Sequence, residues 1–245
     1  MRNATVTIDF HNTIINSDAW FQIEVFDLPG AWLRWHAAQR NDVAEPAVIE
    51  EANAAYRRLR KAIHEHGHEL TAEASLEIVL PQVGVYASEV DIAEGTEAIM
   101  RETMIGISPV EGVIDLIRDL DASGVRLGIV SSAVYHPFLI WSLDQYGITE
   151  AFDSVTTSAS VGWYKSRPEI YWSALESLGS TPDAALHLGD SARFDVVTAR
   201  RAGMQTVWYQ RPGAKPLEGD AGPGMTLQSL VGAAPSLLDR LDHIR

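Results

Sequence analysis

The sequence predicts an α/β protein with a doubly wound, mainly parallel sheet and an all-helical domain inserted after the first strand. Short apolar runs rich in β-branched residues alternate with helical patterns in the second half of the chain. Such alternation is typical of strands that are buried on both faces and covered by helices. About a hundred residues separate the first of these runs from the second, and their pattern is almost wholly helical.

Five apolar runs predict the strands of the sheet: Ala4–Ile8, Val125–Val130, Ala151–Val155, Ala185–Leu188 and Thr206–Tyr209. Helical spacing of apolar residues predicts the helices that follow them: Val110–Ser123, Pro137–Tyr146, Pro168–Gly179 and Phe194–Gly203. The glycine- and proline-rich stretch Arg211–Gly224 predicts a surface loop before a last short strand and a C-terminal helix.

Residues 18–104 carry apolar residues three and four apart, which predicts amphipathic helices. The predicted helices are Ala31–Gln39, Pro46–Glu65, Thr71–Leu80 and Asp91–Met104. Gly67 suits the end of one helix and Thr71 the start of the next. A helical insertion at this place is most simply a cap over the carboxyl edge of the sheet. We therefore predict a core domain of residues 1–16 and 106–245, and a cap domain of residues 17–105.

Composition excludes several classes of protein. The 245 residues carry 19 basic and 33 acidic side chains, a net charge of −14, which argues against nucleic acid or an anionic membrane as the main partner. There is no cysteine, so disulfides, thiolate metal sites and cysteine nucleophiles are excluded. No apolar run approaches the roughly 18 residues of a membrane span, and no signal peptide is evident. We expect a cytoplasmic protein, either monomer or homodimer.

Polar residues follow the predicted strands where ligands bind in α/β sheets, at the carboxyl ends. They are Asp9 to Thr13 after the first strand, Ser131 and Ser132 after the second, Lys165 and Arg167 before the helix that opens at Pro168, and Asp190 and Asp195 after the strand Ala185–Leu188. The chain has only three lysines against sixteen arginines, so Lys165 indicates a position that needs a compact point charge.

In this order and at these spacings, the four segments resemble the haloacid dehalogenase-like (HAD) hydrolase superfamily over roughly residues 4–209. The insertion is placed like a C1-type helical cap. The resemblance implies a Rossmann-like core and Mg²⁺ as cofactor, held by Asp9, the backbone carbonyl of His11 and Asp190. It also implies that Asp9 attacks phosphorus and forms an aspartyl-phosphate, which divides a difficult hydrolysis into two easier steps.

The resemblance assigns supporting roles to other residues. Ser131 would donate a hydrogen bond to the transferred group, and Lys165 would offset charge on the nucleophile and the phosphoryl oxygens. Asp195 would bind the metal or orient a water or Lys165. Further candidates for contact with the substrate are Thr13, Ser132 and Arg167.

One position departs from the pattern of the family's phosphatases. They carry a second aspartate two residues after the nucleophile, as general acid and base, whereas this sequence has His11. Metal binding through the backbone carbonyl is unaffected. Histidine titrates near neutrality, so it can protonate a leaving alkoxide and later activate water. Ser132 also stands where an asparagine is frequent.

We therefore expect a Mg²⁺-dependent phosphomonoester hydrolase that acts on a small phosphorylated metabolite. A haloacid dehalogenase is an alternative, because the family's dehalogenases also lack the second aspartate, although they work without metal. A phosphonatase needs a cap lysine that forms a Schiff base, and Lys61, followed by His64, is the insertion's only lysine. A third alternative is a protein that binds a phosphorylated ligand without turning it over.

Two clusters in the insertion receive structural interpretations. His64, His66 and His68 lie near a predicted helix end, where histidine complements the helix dipole, so we do not expect a zinc site. The basic run Arg57, Arg58, Arg60 and Lys61 is interpreted as mostly a solvated helix face, and contact with the substrate is the alternative, because the run is the only dense positive patch of the acidic insertion.

Overall fold

A six-stranded parallel sheet lies at the centre of the computed structural model, which describes residues 4–214 and 222–244. The strands of these residues are β1 (Thr5–Ile8), β2 (Ile15–Asn16), β3 (Ser108–Pro109), β4 (Arg126–Ser131), β5 (Ser154–Thr157), β6 (Ala185–Gly189), β7 (Gln205–Tyr209) and β8 (Met225–Leu227). The sheet has the order β5-β4-β1-β6-β7-β8, with every neighbouring pair parallel. The predicted fold class is confirmed.

The strand order reverses beside β1. After β1 the chain adds β4 and β5 on one side, and then returns to add β6, β7 and β8 on the other. In parallel sheets of this kind, ligands bind in the crevice at the carboxyl ends of the strands where the order reverses. The end of β1, between the ends of β4 and β6, is therefore the expected place for a site.

The polar residues of β1 are buried but satisfied. The hydroxyl of Thr5 donates to Ser180 Oγ at 2.8 Å, and the hydroxyl of Thr7 lies 2.8 Å from His187 Nδ1. Because side chains alternate along a strand, these threonines share one face of β1, while Val6 and Ile8 pack in the apolar core on the other. One face of β1 thus carries the start of a buried polar network.

The helical insertion, residues 17–107, leaves the core after β2 and returns at β3. Its helices are α1 (Asp18–Gln22), α2 (Leu28–Ala38), α3 (Pro46–His66), α4 (Ala72–Val79) and α5 (Glu89–Glu102), with a π-helical turn at Ile23–Asp27 between α1 and α2. All four predicted helices are present, with ends that differ by a few residues. Thr71 Oγ1 accepts from Ala74 N at 3.1 Å, and Gly67 ends α3 with φ of 80°.

Three features join the insertion to the sheet. The antiparallel pair β2 and β3 holds together the two chain segments by which the insertion leaves the core and rejoins it. The apolar core is continuous across both parts, since Trp20 of α1 stacks on Phe138 at 4.7 Å and meets Phe10 edge-on at 6.0 Å. The guanidinium of Arg101 also lies 3.9 Å from the ring centre of Trp141. The division into a core and a cap at residues 17 and 105 stays a prediction.

The remaining helices cover the sheet. They are α6 (Val113–Ala122), α7 (His136–Gln145), α8 (Ser158–Val161), α9 (Glu169–Ser177), α10 (Ala199–Arg201) and α11 (Ala234–Asp242). The final strand and helix were both predicted, and the loop predicted before them lies partly outside the described residues. No helix within residues 4–214 and 222–244 is both long and apolar enough to cross a membrane.

Two predicted elements need correction. The strand expected over Ala151–Val155 begins at Ser154, because Thr149–Ala151 form a 3₁₀ turn after α7. The helix expected over Phe194–Gly203 begins earlier, as a π-helical turn over Ala192–Thr198 that runs into α10. The hydroxyl of Ser191 starts this turn by accepting a hydrogen bond from Phe194 N at 3.3 Å.

Candidate active site

Asp9 lies directly beyond the end of β1, and both of its carboxylate oxygens are held. Oδ1 accepts a hydrogen bond from Lys165 Nζ at 2.6 Å, and Oδ2 accepts one from Thr13 Oγ1 at 3.0 Å. The loop that returns Thr13 to Asp9 is tight, with Asn12 in the left-handed region at φ of 66°. Thr13 was a candidate for contact with the substrate, but its side chain is fully buried and contacts Asp9.

Lys165 joins two carboxylates at the base of the site. Its Nζ donates to Asp9 Oδ1 and to Asp195 Oδ1, both at 2.6 Å, and the residue is only 3% exposed. Its backbone N–H donates to Ser132 Oγ at 3.2 Å. Ser132, at the end of β4, therefore positions the segment that carries Lys165.

His187 was not predicted, yet it completes the network behind Asp195. Its Nε2 lies 3.1 Å from Asp195 Oδ1, and its Nδ1 lies 2.8 Å from Thr7 Oγ1. A carboxylate only accepts, so Nε2 carries the proton and the hydroxyl of Thr7 donates to Nδ1. Burial lowers the pKa of His187, so the ring is neutral. The sequence offered one signal for a functional role of His187: it is the single polar residue in the apolar run Ala185–Leu188.

Both carboxylate oxygens of Asp195 accept hydrogen bonds. Oδ1 accepts from Lys165 and His187, and Oδ2 accepts from Ser191 N at 2.8 Å. Gly189 makes room for this carboxylate, because a Cβ on Gly189 would lie 2.3 Å from Asp195 Cγ. Asp195 thus fits the role of anchor for Lys165 better than that of a metal ligand.

Asp190 has the carboxylate with the fewest hydrogen bonds of the three, so it is the most available as a ligand. Arg211 Nη1 approaches its Oδ2 at 3.4 Å, and Trp208 Nε1 donates to its backbone carbonyl at 2.9 Å. One carboxylate oxygen from each of Asp9, Asp190 and Asp195 lies within 4.8 Å of the others. An all-oxygen donor set of this kind suits Mg²⁺. The residues present therefore fit the predicted metal, with Asp9 and Asp190 as the available carboxylates.

The three carboxyls differ in their affinity for protons. Burial raises the pKa of Asp9 to about 7, against the opposing attraction of Lys165. Burial and the neighbouring Asp195 raise the pKa of Asp190 to about 6. Burial would raise the pKa of Asp195 too, but Lys165 and His187 outweigh it and lower this pKa to about 2. Near neutral pH the site therefore holds more negative charge than one lysine neutralises, which favours binding of a cation.

His11 is held by aromatic rings and by a hydrogen bond to the backbone of Ser17. Its ring stacks on Phe21 with centroids 4.7 Å apart and meets Trp20 edge-on at 5.5 Å. Within the described chain, its buried Nε2 has no hydrogen-bond partner. Burial, aided by the positive charge of Arg211, lowers the pKa of His11 to about 4. The imidazole is therefore neutral at pH 7.

A cavity opens above these carboxylates. Seven of the predicted site residues line it: Asp9, His11, Ser131, Ser132, Lys165, Asp190 and Asp195. The insertion adds five residues to the wall, of which only Arg60 had been weighed for contact with the substrate: Trp20, Phe21, Glu24, Val25 and Arg60. The predicted Arg167 is not part of the wall, and its half-exposed side chain pairs with Glu169 at 3.0 Å.

Arg60 corrects the interpretation of the basic run. Lys61 is largely exposed, but Arg60 is only 8% exposed and donates from both Nη atoms to Glu69, at 2.5 and 3.2 Å. Tyr56 and Ile63, four residues before and three after, are also buried in α3. Helical spacing thus puts Arg60 on the buried stripe, and this periodicity was the signal that the sequence offered.

Comparison with known proteins gives the family of this chain. The sequence matches the family described as haloacid dehalogenase-like hydrolase over residues 44–209. The chain belongs to this family. The predicted membership and the prediction of an enzyme are thereby confirmed. The matched residues include Lys165 and Asp190 but not Asp9 or His11, so the case for Asp9 rests on its geometry.

Two relatives resemble this haloacid dehalogenase-like hydrolase over part of their length. A glyceraldehyde 3-phosphate phosphatase of Methanopyrus kandleri is 29% identical over 157 residues, which are 64% of this chain and 66% of that protein. Haloacid dehalogenase-like hydrolase domain-containing protein 3 of Bos taurus is 30% identical over 134 residues, 55% of this chain and 52% of that protein. The chain thus spans from about half to about two thirds of the length of these two relatives.

A solved structure shares the whole fold. A 2-haloacid dehalogenase from Pseudomonas syringae pv. Tomato DC3000 has a TM-score of 0.73 at 20% identity, over 97% of this chain and 99% of that chain. At this identity the likeness concerns the fold, and the chemistry must come from the side chains.

Proposed function

We propose that this haloacid dehalogenase-like hydrolase is a Mg²⁺-dependent phosphomonoester hydrolase in which Asp9 is the nucleophile. The observation that carries the proposal is the second carboxylate, Asp190, beside the pair formed by Asp9 and Lys165. Asp190 is partly buried, its Oδ2 lies 3.4 Å from Arg211 Nη1, and a carboxylate in such a place gains from a further cation. Where a metal ion and a phosphoryl group bind, Asp190 has a function, whereas a carboxylate substrate would only be repelled by it.

The side chains around Asp9 prepare it for attack. Lys165 and Thr13 each hold one carboxylate oxygen, so the group cannot rotate away from the cavity. Attack by a carboxylate oxygen forms the bond from Asp9 to phosphorus while the bond from phosphorus to the leaving oxygen breaks. Ser131, at the end of β4, lines the cavity, and from there its hydroxyl can donate a hydrogen bond to a phosphoryl oxygen. Water then attacks phosphorus, which releases phosphate and restores Asp9.

Asp9, Asp190 and the backbone carbonyl of His11 would hold the metal ion. When bound, Mg²⁺ supplies positive charge that lets a carboxylate and a phosphate, both anions, approach each other. Asp195 takes a different part: with its pKa lowered to about 2, it stays ionised and keeps the ammonium of Lys165 directed at Asp9.

His11 gives the reaction an unusual acid–base balance. With a pKa of about 4 its imidazole is neutral at pH 7, so it can accept a proton but has none to give as imidazolium. It therefore suits the activation of water better than protonation of the leaving group. We expect esters with good leaving groups to react fastest, since their leaving oxygen needs little protonation.

We further propose that residues 17–105 act as a cap that selects the substrate. This is supported by the five residues of the insertion in the cavity wall. The name of the M. kandleri relative, a glyceraldehyde 3-phosphate phosphatase, supports a small phosphorylated substrate. Dehalogenation is the second candidate, favoured by His11 in place of the usual aspartate and opposed by Asp190.

Phosphate release from an aryl phosphate tests the proposal. We expect release with Mg²⁺, loss of release with EDTA, and loss again in Asp9→Asn. The matched control is Asp121→Asn, an exposed aspartate at the opposite edge of the sheet from Asp9. Phosphate release by Asp9→Asn at the control's rate would exclude Asp9 as the nucleophile. Release of halide from a 2-haloacid in EDTA, without phosphatase activity, would establish the second candidate.

A further inference from the structure

Two side chains of the insertion bring unpaired polar atoms to the cavity. Glu24 is 3% exposed and Trp20 is 1% exposed, and both line the cavity. Within the part of the chain that the structure describes, neither Glu24 Oε2 nor Trp20 Nε1 has a hydrogen-bond partner. Buried polar atoms are rarely left without one. These two atoms therefore indicate that a polar group of the ligand, away from the phosphoryl group, binds here.

The two residues lie side by side. They are four positions apart on the continuous helical segment formed by α1 and the π-helical turn, which puts them on the same side of it. Glu24 is fixed from two directions, because the backbone amide of Val134 hydrogen-bonds its carboxyl and the hydroxyl of Tyr56 donates to its backbone carbonyl at 2.5 Å. The free oxygen of Glu24 thus has a defined position.

The charges around Glu24 restrict the ligand group. Arg60 lines the same cavity, and its guanidinium is already paired with Glu69, which also accepts from Ser158 Oγ at 2.9 Å. A carboxylate on the ligand would find this cation already matched by Glu69. An ammonium only donates hydrogen bonds, so it would leave Trp20 Nε1 without an acceptor. A hydroxyl fits the two unpaired atoms, because it can donate to Glu24 Oε2 and accept from Trp20 Nε1.

We propose that Glu24 and Trp20 form a hydroxyl-recognition subsite, which makes the protein selective for phosphate monoesters of short polyols or sugars. The subsite rests on the proposed phosphatase function and names its substrate class. Phe21 and Tyr164 in the same wall offer aromatic faces to the carbon chain of such a ligand. Burial raises the pKa of Glu24, which agrees with a neutral carboxyl that exchanges hydrogen bonds with a neutral group.

The test compares three esters: glycerol 3-phosphate, propyl phosphate, which has the same chain without hydroxyls, and O-phosphoserine. The wild type should favour glycerol 3-phosphate over propyl phosphate in kcat/KM by about tenfold or more, since an unmade hydrogen bond in a buried site is costly. Glu24→Met should lower kcat/KM for glycerol 3-phosphate by roughly 10- to 100-fold and change propyl phosphate by less than about threefold. Glu77→Met, on the exposed side of α4, should change neither.

Other outcomes would overturn the subsite. Equal losses for both esters in Glu24→Met, or a wild type that does not distinguish them, would contradict it. A preference for O-phosphoserine that depends on Glu24 would show that the subsite binds an ammonium and not a hydroxyl, which would overturn the proposal. If Glu24→Met fails to fold, Glu24→Gln keeps the shape of the side chain. It should retain activity on propyl phosphate while its kcat/KM for glycerol 3-phosphate falls by about threefold or more, and an unchanged value would also count against the subsite.

Binding separates this inference from the proposed function. In Asp9→Asn, calorimetry should find tighter binding of glycerol 3-phosphate than of propyl phosphate, and addition of Glu24→Met should remove the difference. If no ester is hydrolysed by the wild type but this preference is present, the phosphatase proposal fails and the subsite stands. Equal binding of the two esters in Asp9→Asn would refute the subsite whatever the enzyme hydrolyses.

Discussion

Replacing Lys165 by methionine tests the buried charge network at the base of the site. The substitution keeps the length of the side chain and removes an ammonium that donates to Asp9 and Asp195 at 2.6 Å each. Lys165 is almost wholly buried, so water cannot take its place without rearrangement. In Lys165→Met, two buried carboxyls face each other without the cation between them.

The expected loss is large and depends on pH. Breaking a buried ion pair by removal of one partner costs about 3–5 kcal/mol of unfolding free energy. The pKa of Asp9 is raised to about 7 even with Lys165 present, and it rises further without it. A raised pKa contributes stability at low pH, fully present below the ordinary value of Asp, and that contribution is lost as pH rises through the folded pKa. The deficit of Lys165→Met should therefore be larger at pH 8.5 than at pH 5.5, by about 1.4 kcal/mol for each further unit of pKa shift of Asp9.

Urea unfolding in EDTA, followed by tryptophan fluorescence at both pH values, measures this deficit. Lys61→Met is the matched control, because Lys61 is largely exposed and lies 3.9 Å from Glu65. We expect less than about 1 kcal/mol for the control at either pH. If Lys165→Met were as stable as Lys61→Met, or if its deficit were the same at both pH values, the charge network described here would be refuted.

Three further substitutions and conditions test other parts of the site. His11→Asp restores an acid beside Asp9, so turnover of alkyl phosphates should rise by about tenfold or more while that of aryl phosphates changes little. Gly189→Ala should cost about 1–3 kcal/mol in urea unfolding and at least about tenfold in aryl phosphate turnover, because the new methyl displaces Asp195. Mg²⁺ affinity by calorimetry should fall at least about tenfold from pH 8 to pH 6, since Asp9 and Asp190, with pKa values of about 7 and 6, then hold protons.

Gly189→Ala has a matched control, and each of the three tests has a contrary result. Gly128→Ala crowds Leu178 in the core at 2.7 Å and should destabilise the fold without changing turnover per folded molecule. Turnover lost equally in Gly128→Ala and Gly189→Ala would assign the effect to packing alone. An unchanged ratio of alkyl to aryl phosphate turnover in His11→Asp would remove His11 from the acid–base step. A pH-independent Mg²⁺ affinity would place the metal on other groups.

The sheet and the ends of its strands could be predicted because they depend on local sequence patterns. Asp9, Ser131 and Asp190 follow runs of buried residues, and parallel strands bring their carboxyl ends to one edge. The strand near Ala151 was displaced because a 3₁₀ turn and a strand look alike in a short apolar run. The π-helical turn at Ala192–Thr198 depends on hydrogen bonds around Ser191 that composition does not reveal.

The rest of the site depends on contacts between distant segments. His187 is recognisable only once Asp195 and Thr7 are seen on either side of its ring. Arg60 and Glu69 pair across the turn that ends α3, and the sequence interpretation placed Arg60 in water. Glu24 reaches the cavity because the insertion packs against the sheet, and nothing in the order of the residues marks that contact.

If Asp9 is the nucleophile, the reaction passes through a covalent adduct on Asp9, and this adduct can be observed directly. The wild-type protein, mixed with Mg²⁺ and an aryl phosphate and quenched in acid within the first turnover, is digested and examined by mass spectrometry. We expect a phosphoryl group on the peptide that contains Asp9. This group should be absent in EDTA and absent in Asp9→Asn. Phosphate release without that adduct, or an adduct on another peptide, would contradict the assignment of Asp9 as the nucleophile.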